Sequence, residues 1–319
     1  MISIIVPAYR SQQLVGRCLR SLAAQSRSDF EVIVVDDGSP DGTLEAARHA
    51  VAGDPRFAVL SRPRRGGAAA ARNTALAHSR GEWLAFIDAD SWAEPDWLER
   101  LLAPLEAGQA DCVGGPDLVP ADDPLVSRCV GWSVDSPLAT GGLRWGSTRL
   151  VRYLPGTGNM ALARTFYQRV GGFDERFHDA GEDKEWLFRV ARAGARMLYL
   201  PEAPVWHHRA TSVLTHARKI FAYGVRRVDI WRCWPDSFEW PHLAPAALCA
   251  GLGLMAVSAP RFLLLGAPAL LADGVMAAWR LRDLRALLVA PITSALIPLC
   301  YGAGILVRAA SSRLDSPAE

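Results

Sequence analysis

The chain has 319 residues, 50% of them hydrophobic, and its Lys+Arg 35 against Asp+Glu 33 leave a formal net charge of +2. That length supports one large domain or a domain with an appendage, and the near-neutral balance excludes the broad basic field of a nucleic-acid-binding protein. Between residues 243 and 307 only Arg261, Asp273, Arg280, Arg282, Asp283 and Arg285 are charged, so a soluble domain is joined to an apolar tail.

The chain opens with "ISIIVPAY", a short unbroken apolar run of the kind buried on both faces of a sheet. It has no basic leader and runs straight into a proline turn, so the N-terminal domain is expected to stay in the cytosol. Leu14, Val15, Cys18, Leu19 and Leu22 then recur at helical spacing, and "EVIVVDDGS" at residues 31 to 39 repeats the strand pattern. A helix (Thr43 to Ala52), a strand (Phe57 to Leu60), an alanine-rich helix (Ala68 to Ala77) and a strand (Trp83 to Ile87) continue the alternation. The fold class read from this order is α/β, an open, mostly parallel sheet with helices on both faces, followed by C-terminal apolar helices. Ligands of such sheets bind at the carboxyl ends of the strands, where "PAYR", "DDGSPDGT" and "DAD" all fall.

After Pro120, about thirty residues rich in Gly, Pro and Ser read as a substrate loop. Order returns with "TGNMALAR", "GGFDERF" and a helix from Glu182 to Ala193 whose Trp186, Leu187, Val190 and Ala191 share a face; "MLYLP" and "PVWHHR" close the domain. The expected boundaries are 1–212 for the α/β domain, 213–240 for an amphipathic interfacial segment, 241–310 for membrane-associated helices and 311–319 for a polar tail. "HARKIFAYGVRRVDIWRCW" mixes Arg and Lys with aromatics, as a helix at a headgroup surface does. Three apolar stretches follow, Leu243 to Ala259, Phe262 to Ala278 and Ala286 to Val307, the last long enough to cross a bilayer core of about 30 Å at about 1.5 Å per residue. The six cysteines show no metal-site spacing and read as free thiols in a reducing compartment.

The chemistry concentrates in "FIDAD". In an extended chain Asp88 and Asp90 project to one side, and two carboxylates aimed at one place call for a hard divalent cation such as Mn2+ or Mg2+. Either aspartate alone would also serve as a cap for the helix that starts near Pro95. Asp36 and Asp37 bring further carboxylates to the same sheet edge, where a cation or a nucleobase amide would answer them. Arg64 and Arg65 suit a solvated loop, whereas Arg72, at a helix start, is the candidate to meet phosphate or base.

Taken in order, "SIIVPAYR", "DDGSPDGT", "GGAAAARN", "FIDAD", "GGFDERF" and "GEDKEWLFR" resemble the family 2 glycosyltransferases of the glycosyltransferase-A fold, over about residues 2 to 210. The resemblance implies a nucleotide-sugar donor, UDP-linked by expectation, inverting chemistry and a divalent metal. It places Pro7 and Tyr9 in the base pocket, Asp37 on the uracil edge, Asp88 at the ribose or metal shell, Asp90 on the metal and Asp183 as the catalytic base. A histidine following a "VxH"-like segment completes the metal site in relatives, which points to His207, with His208 the competing choice.

Arg10 stands where many relatives carry Asn, and no QxxRW box follows Asp183, which weighs against a processive polymerase. The reading is therefore an enzyme of the inner membrane, its catalytic domain cytoplasmic, that moves one sugar to a lipid-linked or cell-surface saccharide acceptor. A catalytically inactive relative acting as a membrane scaffold or sugar-binding subunit is the alternative, against which Asp37, Asp90 and Asp183 speak. A dinucleotide oxidoreductase would need GxGxxG after the first strand, and none is present.

Overall fold

The apolar runs fold as strands and the amphipathic runs as helices in the order the patterning predicts. In the computed structural model, which describes residues 1–140, 155–178, 180–209, 211–258, 261 and 265–311, the chain begins β1 (Ile2–Ala8), α1 (Val15–Ala23), β2 (Phe30–Asp36), α2 (Thr43–Ala50), β3 (Phe57–Ser61), α3 (Gly67–His78) and β4 (Trp83–Ile87). Next come β5 (Ser91–Ala93), α4 (Trp97–Glu106), β6 (Cys112–Gly114), β7 (Asp117–Leu118), α5 (Leu125–Asp135) and α6 (Pro137–Thr140). They are followed by β8 (Asn159–Ala163), α7 (Arg164–Val170), α8 (Glu182–Arg192), β9 (Met197–Tyr199) and β10 (Val205–His207). The last helices are α9 (Val213–Cys233), α10 (Ala244–Ser258), α11 (Ala267–Leu281) and α12 (Ala286–Ala310).

The chain divides into two units, Met1–Leu118 with Tyr153–His207, and Val119–Arg152 with His208–Glu319. In the first, a sheet of order β3-β2-β1-β4-β8-β6-β9 is parallel except where β8 runs against β4 and β6. Side-chain alternation divides its core between two faces: Ile2, Ile4 and Val6 join the core on one face with Val15, Cys18, Leu19 and Leu22 of α1. Ile5, Ile33 and Val35 join Ala71, Ala75 and Leu76 of α3 and Trp186 of α8 on the other. The alanines of α3 let that helix lie close to the sheet, and Trp186 stacks on Phe173 with centroids 4.3 Å apart to fill the space beyond. Because β1 pairs with β2 on one side and β4 on the other, the strand order reverses there, the point at whose carboxyl ends ligands of such sheets bind.

A small sheet, β5-β10-β7, caps that edge, with β10 antiparallel to β5 and His207 opposite Ser91. Beneath it the buried Asn159 side chain donates to the carbonyls of Pro116 and Ala203 and accepts from Trp97 Nε1 at 2.8 Å. One polar side chain thus satisfies two loops and a core tryptophan.

The second unit is helical. Here the structure differs from the loop expected after Pro120: Leu125–Asp135 is a helix, and Cys129 packs with Ala277, Ala278, Ala286 and Ala290 of α11 and α12. Leu125, Cys129 and Trp132 fall at helical spacing, a signal outweighed in the sequence by the surrounding Gly, Pro and Ser. Residues 141–154 of the expected loop lie outside the described residues. Of the three apolar stretches, Trp240–Ser258 and Ala286–Ala310 are helices long and apolar enough to cross a membrane, while α11 has 15 residues.

Candidate active site

The DAD segment is a turn. β4 stops at Ile87 and the Ser91 N–H donates to the Asp88 carbonyl at 3.0 Å, closing Asp88 to Ser91 tightly. The segment is thus not extended, and the two carboxylates meet different partners. Asp88 Oδ1 accepts from Arg72 at 3.0 Å, and Asp88 Oδ2 lies so near Gly158 that a Cβ there would stand 3.0 Å away. Asp90 Oδ2 lies 3.3 Å from His207 Nε2, because the register of β10 against β5 places His207 beside Ser91. His208 pairs instead with Asp123 at 2.7 Å, within the helical unit.

Arg72 organises the centre. It is buried, and its other Nη atom donates to Glu182 Oε1 at 2.8 Å, so one guanidinium joins the end of β4 to the start of α8. Burial works against its charge, but Asp88 and Glu182 more than offset that, and its pKa is raised. Burial pushes the Glu182 carboxyl up, against the pull of Arg72. Asp183, next along α8, accepts from the Lys184 N–H at 2.8 Å, and Lys184 Nζ reaches the Pro155 carbonyl. The negative field of the edge also reaches the core, where burial and then Asp90 and Asp88 push the Cys18 thiol up, so it stays protonated. Replacing Arg72 with methionine strands two carboxylates and is expected to cost about 3–5 kcal/mol. A urea midpoint equal to that of the parent protein would show that the ion pairs carry no such weight.

Asp37 is buried, and its carboxylate accepts from the N–H groups of Gly66 and Gly67 and pairs with Arg62 at 2.9 Å. It anchors the glycine loop to the end of β2. Gly67 has φ +87°, and a Cβ there would meet the His178 carbonyl oxygen at 2.3 Å, so the turn requires glycine. Asp36, also buried, presents an Oδ1 with no hydrogen-bond partner among the described residues. Pro7 and Tyr9 lie half-buried at the end of β1, and the Tyr9 ring carries the guanidinium of Arg65 at 4.8 Å and of Arg10 at 5.5 Å. Arg10 has φ +51°, a left-handed conformation that Asn adopts at lower steric cost, which gives the Asn of relatives a physical reason.

Asp90 and His207 are suited to a divalent cation: a carboxylate oxygen and an imidazole nitrogen face one another 3.3 Å apart at the sheet edge. Among the described residues no group of three or more His, Cys, Asp and Glu is placed to hold an ion. The set fits a cation that takes most of its ligands from phosphate oxygens and water, as Mg2+ and Mn2+ commonly do. Glu182 and Asn159 gained their roles only in the structure, since Glu182 meets Arg72 across 110 residues of chain.

The sequence matches the family described as Glycosyl transferase family 2 over residues 3–125 and that described as Glycosyl transferase family group 2 over residues 83–308. The chain belongs to the family 2 glycosyltransferases. This glycosyltransferase is 27% identical over 232 residues to Glycosyltransferase AglE of Haloferax volcanii, a match covering 72% of this chain and 74% of that one. Among solved structures it is similar to the mannosyltransferase PcManGT of Pyrobaculum calidifontis, in complex with GDP-Man and Mn2+, with a TM-score of 0.61, 23% identity, and coverage of 92% of this chain and 86% of that one. It is also similar to a fragment of S. aureus TarS in complex with UDP-GlcNAc, with a TM-score of 0.52, 19% identity, and coverage of 96% and 90%. At these identities the solved structures speak for the fold, which is the glycosyltransferase-A arrangement.

Proposed function

We propose that this glycosyltransferase transfers a single sugar, with inversion, from a UDP-linked donor to a lipid-linked or cell-surface saccharide acceptor at the cytoplasmic face of the inner membrane. The observation that carries the reading is the convergence of Asp90, His207, the Arg72 cluster and Asp183 on one sheet edge. Pro7 and Tyr9 take the base, Asp37 its uracil edge, and Asp88 the ribose side. Asp90 and His207 hold a divalent cation, Mn2+ or Mg2+, which when bound neutralises charge on the departing diphosphate. Asp183 takes the proton of the acceptor hydroxyl as that oxygen attacks the anomeric carbon from the face opposite the leaving group. A carboxylate is a weak base toward a hydroxyl, and it acts by standing within hydrogen-bond reach as charge develops. Arg72 acts through Asp88 and Glu182, fixing the end of β4 and the first turn of α8.

PcManGT and TarS, with bound GDP-Man and UDP-GlcNAc, support a nucleotide-sugar donor. The absence of a QxxRW box favours one transfer per encounter. Membrane association draws on the two long apolar helices, whose most apolar windows are only 11% and 28% buried. A panel of UDP- and GDP-sugars offered to membranes carrying the full chain should release nucleoside diphosphate from at least one donor and label a lipid-extractable product. Release from a UDP-sugar with no label in the lipid extract, whatever saccharide is added, would remove the lipid-linked acceptor.

A further inference from the structure

The helical unit presents a surface that sugar transfer does not use. On α11, Leu271, Val275 and Trp279 follow at intervals of four, and beyond the turn Leu284, Leu288 and Ile292 repeat the spacing. All six are 52% to 81% exposed. The other side of the hairpin is occupied: Ala277, Ala278, Ala286 and Ala290 are buried with Cys129 of α5. Arg128 of α5 fixes the turn through Asp283 at 3.4 Å and through the Leu281 carbonyl. At the turn itself Arg280, Arg282 and Arg285 are exposed beside Trp279. An exposed apolar stripe with a tryptophan and arginines at its turn suits a hairpin lying along an anionic leaflet, its apolar side chains toward the acyl chains and its arginines reaching the phosphates.

Length and composition would let α12 cross a bilayer, but its neighbours decide otherwise. α9 lies along it, with Gly224 against the backbone of Tyr301 and Ile305, and Gly304 against that of Phe221 and Val225. Charged groups of α9 are bonded to it directly. Arg227 Nε donates to Tyr301 Oη at 2.9 Å, Asp229 pairs with Arg308, and Arg232 donates to the Arg308 and Ser311 carbonyls. A crossing by α12 would carry this charged helix into hydrocarbon, where such groups are strongly unfavourable. α11, at 15 residues, spans only about 22 Å of the roughly 30 Å required.

We propose that the α11–α12 hairpin docks on a single leaflet of an anionic membrane through its exposed stripe, and that α12 does not cross the bilayer. This rests on the membrane association proposed above and specifies its geometry. The two flanks of α12 therefore stay on the cytosolic side.

Arg280→Cys and Ser311→Cys flank α12, and their labelling by a membrane-impermeant maleimide, read as the gain over the parent chain, reports the side of each. Both should label in inverted vesicles from the expressing bacterial host and neither in right-side-out vesicles. Labelling of either from the outside overturns the proposal, since a crossing helix must put its ends on opposite sides. With the full chain and vesicles of phosphatidylcholine and phosphatidylglycerol, Trp279→Ser with Leu288→Ser should lower binding about tenfold or more. Arg280→Gln with Arg282→Gln should lower it about fivefold per arginine, and much less on phosphatidylcholine alone. Unchanged binding in both pairs, each verified as folded by circular dichroism, also overturns it. A chain that stays in the supernatant of lysed cells and binds neither vesicle removes the membrane association itself, whereas membrane binding with labelling on both sides removes only the single-leaflet geometry.

Discussion

Replacing Asp90 with alanine is expected to abolish metal-dependent nucleotide binding and to lower transfer at least about 100- to 1000-fold. Asp90 supplies the oxygen ligand facing His207 across 3.3 Å, and an imidazole alone does not hold Mn2+ or Mg2+ against water. The side chain is 38% exposed, so its loss opens no core cavity and the variant should fold as the parent does. Titration of UDP in Mn2+ reads the effect directly. A folded Asp90→Ala protein that keeps the parent's metal-dependent affinity would move the cation to other ligands.

Asp183→Asn is expected to leave donor binding near the parent value and to cut turnover about 100- to 10,000-fold, the usual contribution of a general base. The amide keeps the shape of the carboxylate, and its oxygen can still accept from the Lys184 N–H at 2.8 Å. Glu182 is the alternative base, but its Oε1 is occupied by Arg72 at 2.8 Å, and burial pushes its carboxyl up. Glu182→Gln should therefore act chiefly on stability through the loss of that ion pair. Near-parent turnover by a folded Asp183→Asn enzyme would hand the proton transfer to Glu182.

What could be read from the sequence follows from the range of each interaction. β1, β2 and β4 were legible because a strand buried on both faces must be apolar throughout, a local property. The glycosyltransferase-A fold followed from their alternation with helices and from motifs at their ends. The different partners of Asp88 and Asp90 are not legible: they depend on where β4 stops and on Arg72, which reaches in from α3. The distinction between His207 and His208 likewise rests on the register of β10 against β5, which separates neighbours that sequence treats as equivalent. The Gly, Pro and Ser around α5 suggest a loop, yet close helix packing in the tail uses small residues for the same reason a turn does, the lack of bulk. Arg10 departed from the family pattern visibly, but only its positive φ shows what the position demands.

The proposed function depends on the sheet edge binding a nucleoside diphosphate through a cation held by Asp90 and His207. Calorimetric titration of UDP and GDP into the full-length protein, once in Mn2+ and once in EDTA, tests it most directly. UDP is expected to bind at least about tenfold more tightly with Mn2+ present, about 1.4 kcal/mol or more. Equal affinity in Mn2+ and EDTA, or no binding of either nucleotide, would contradict it.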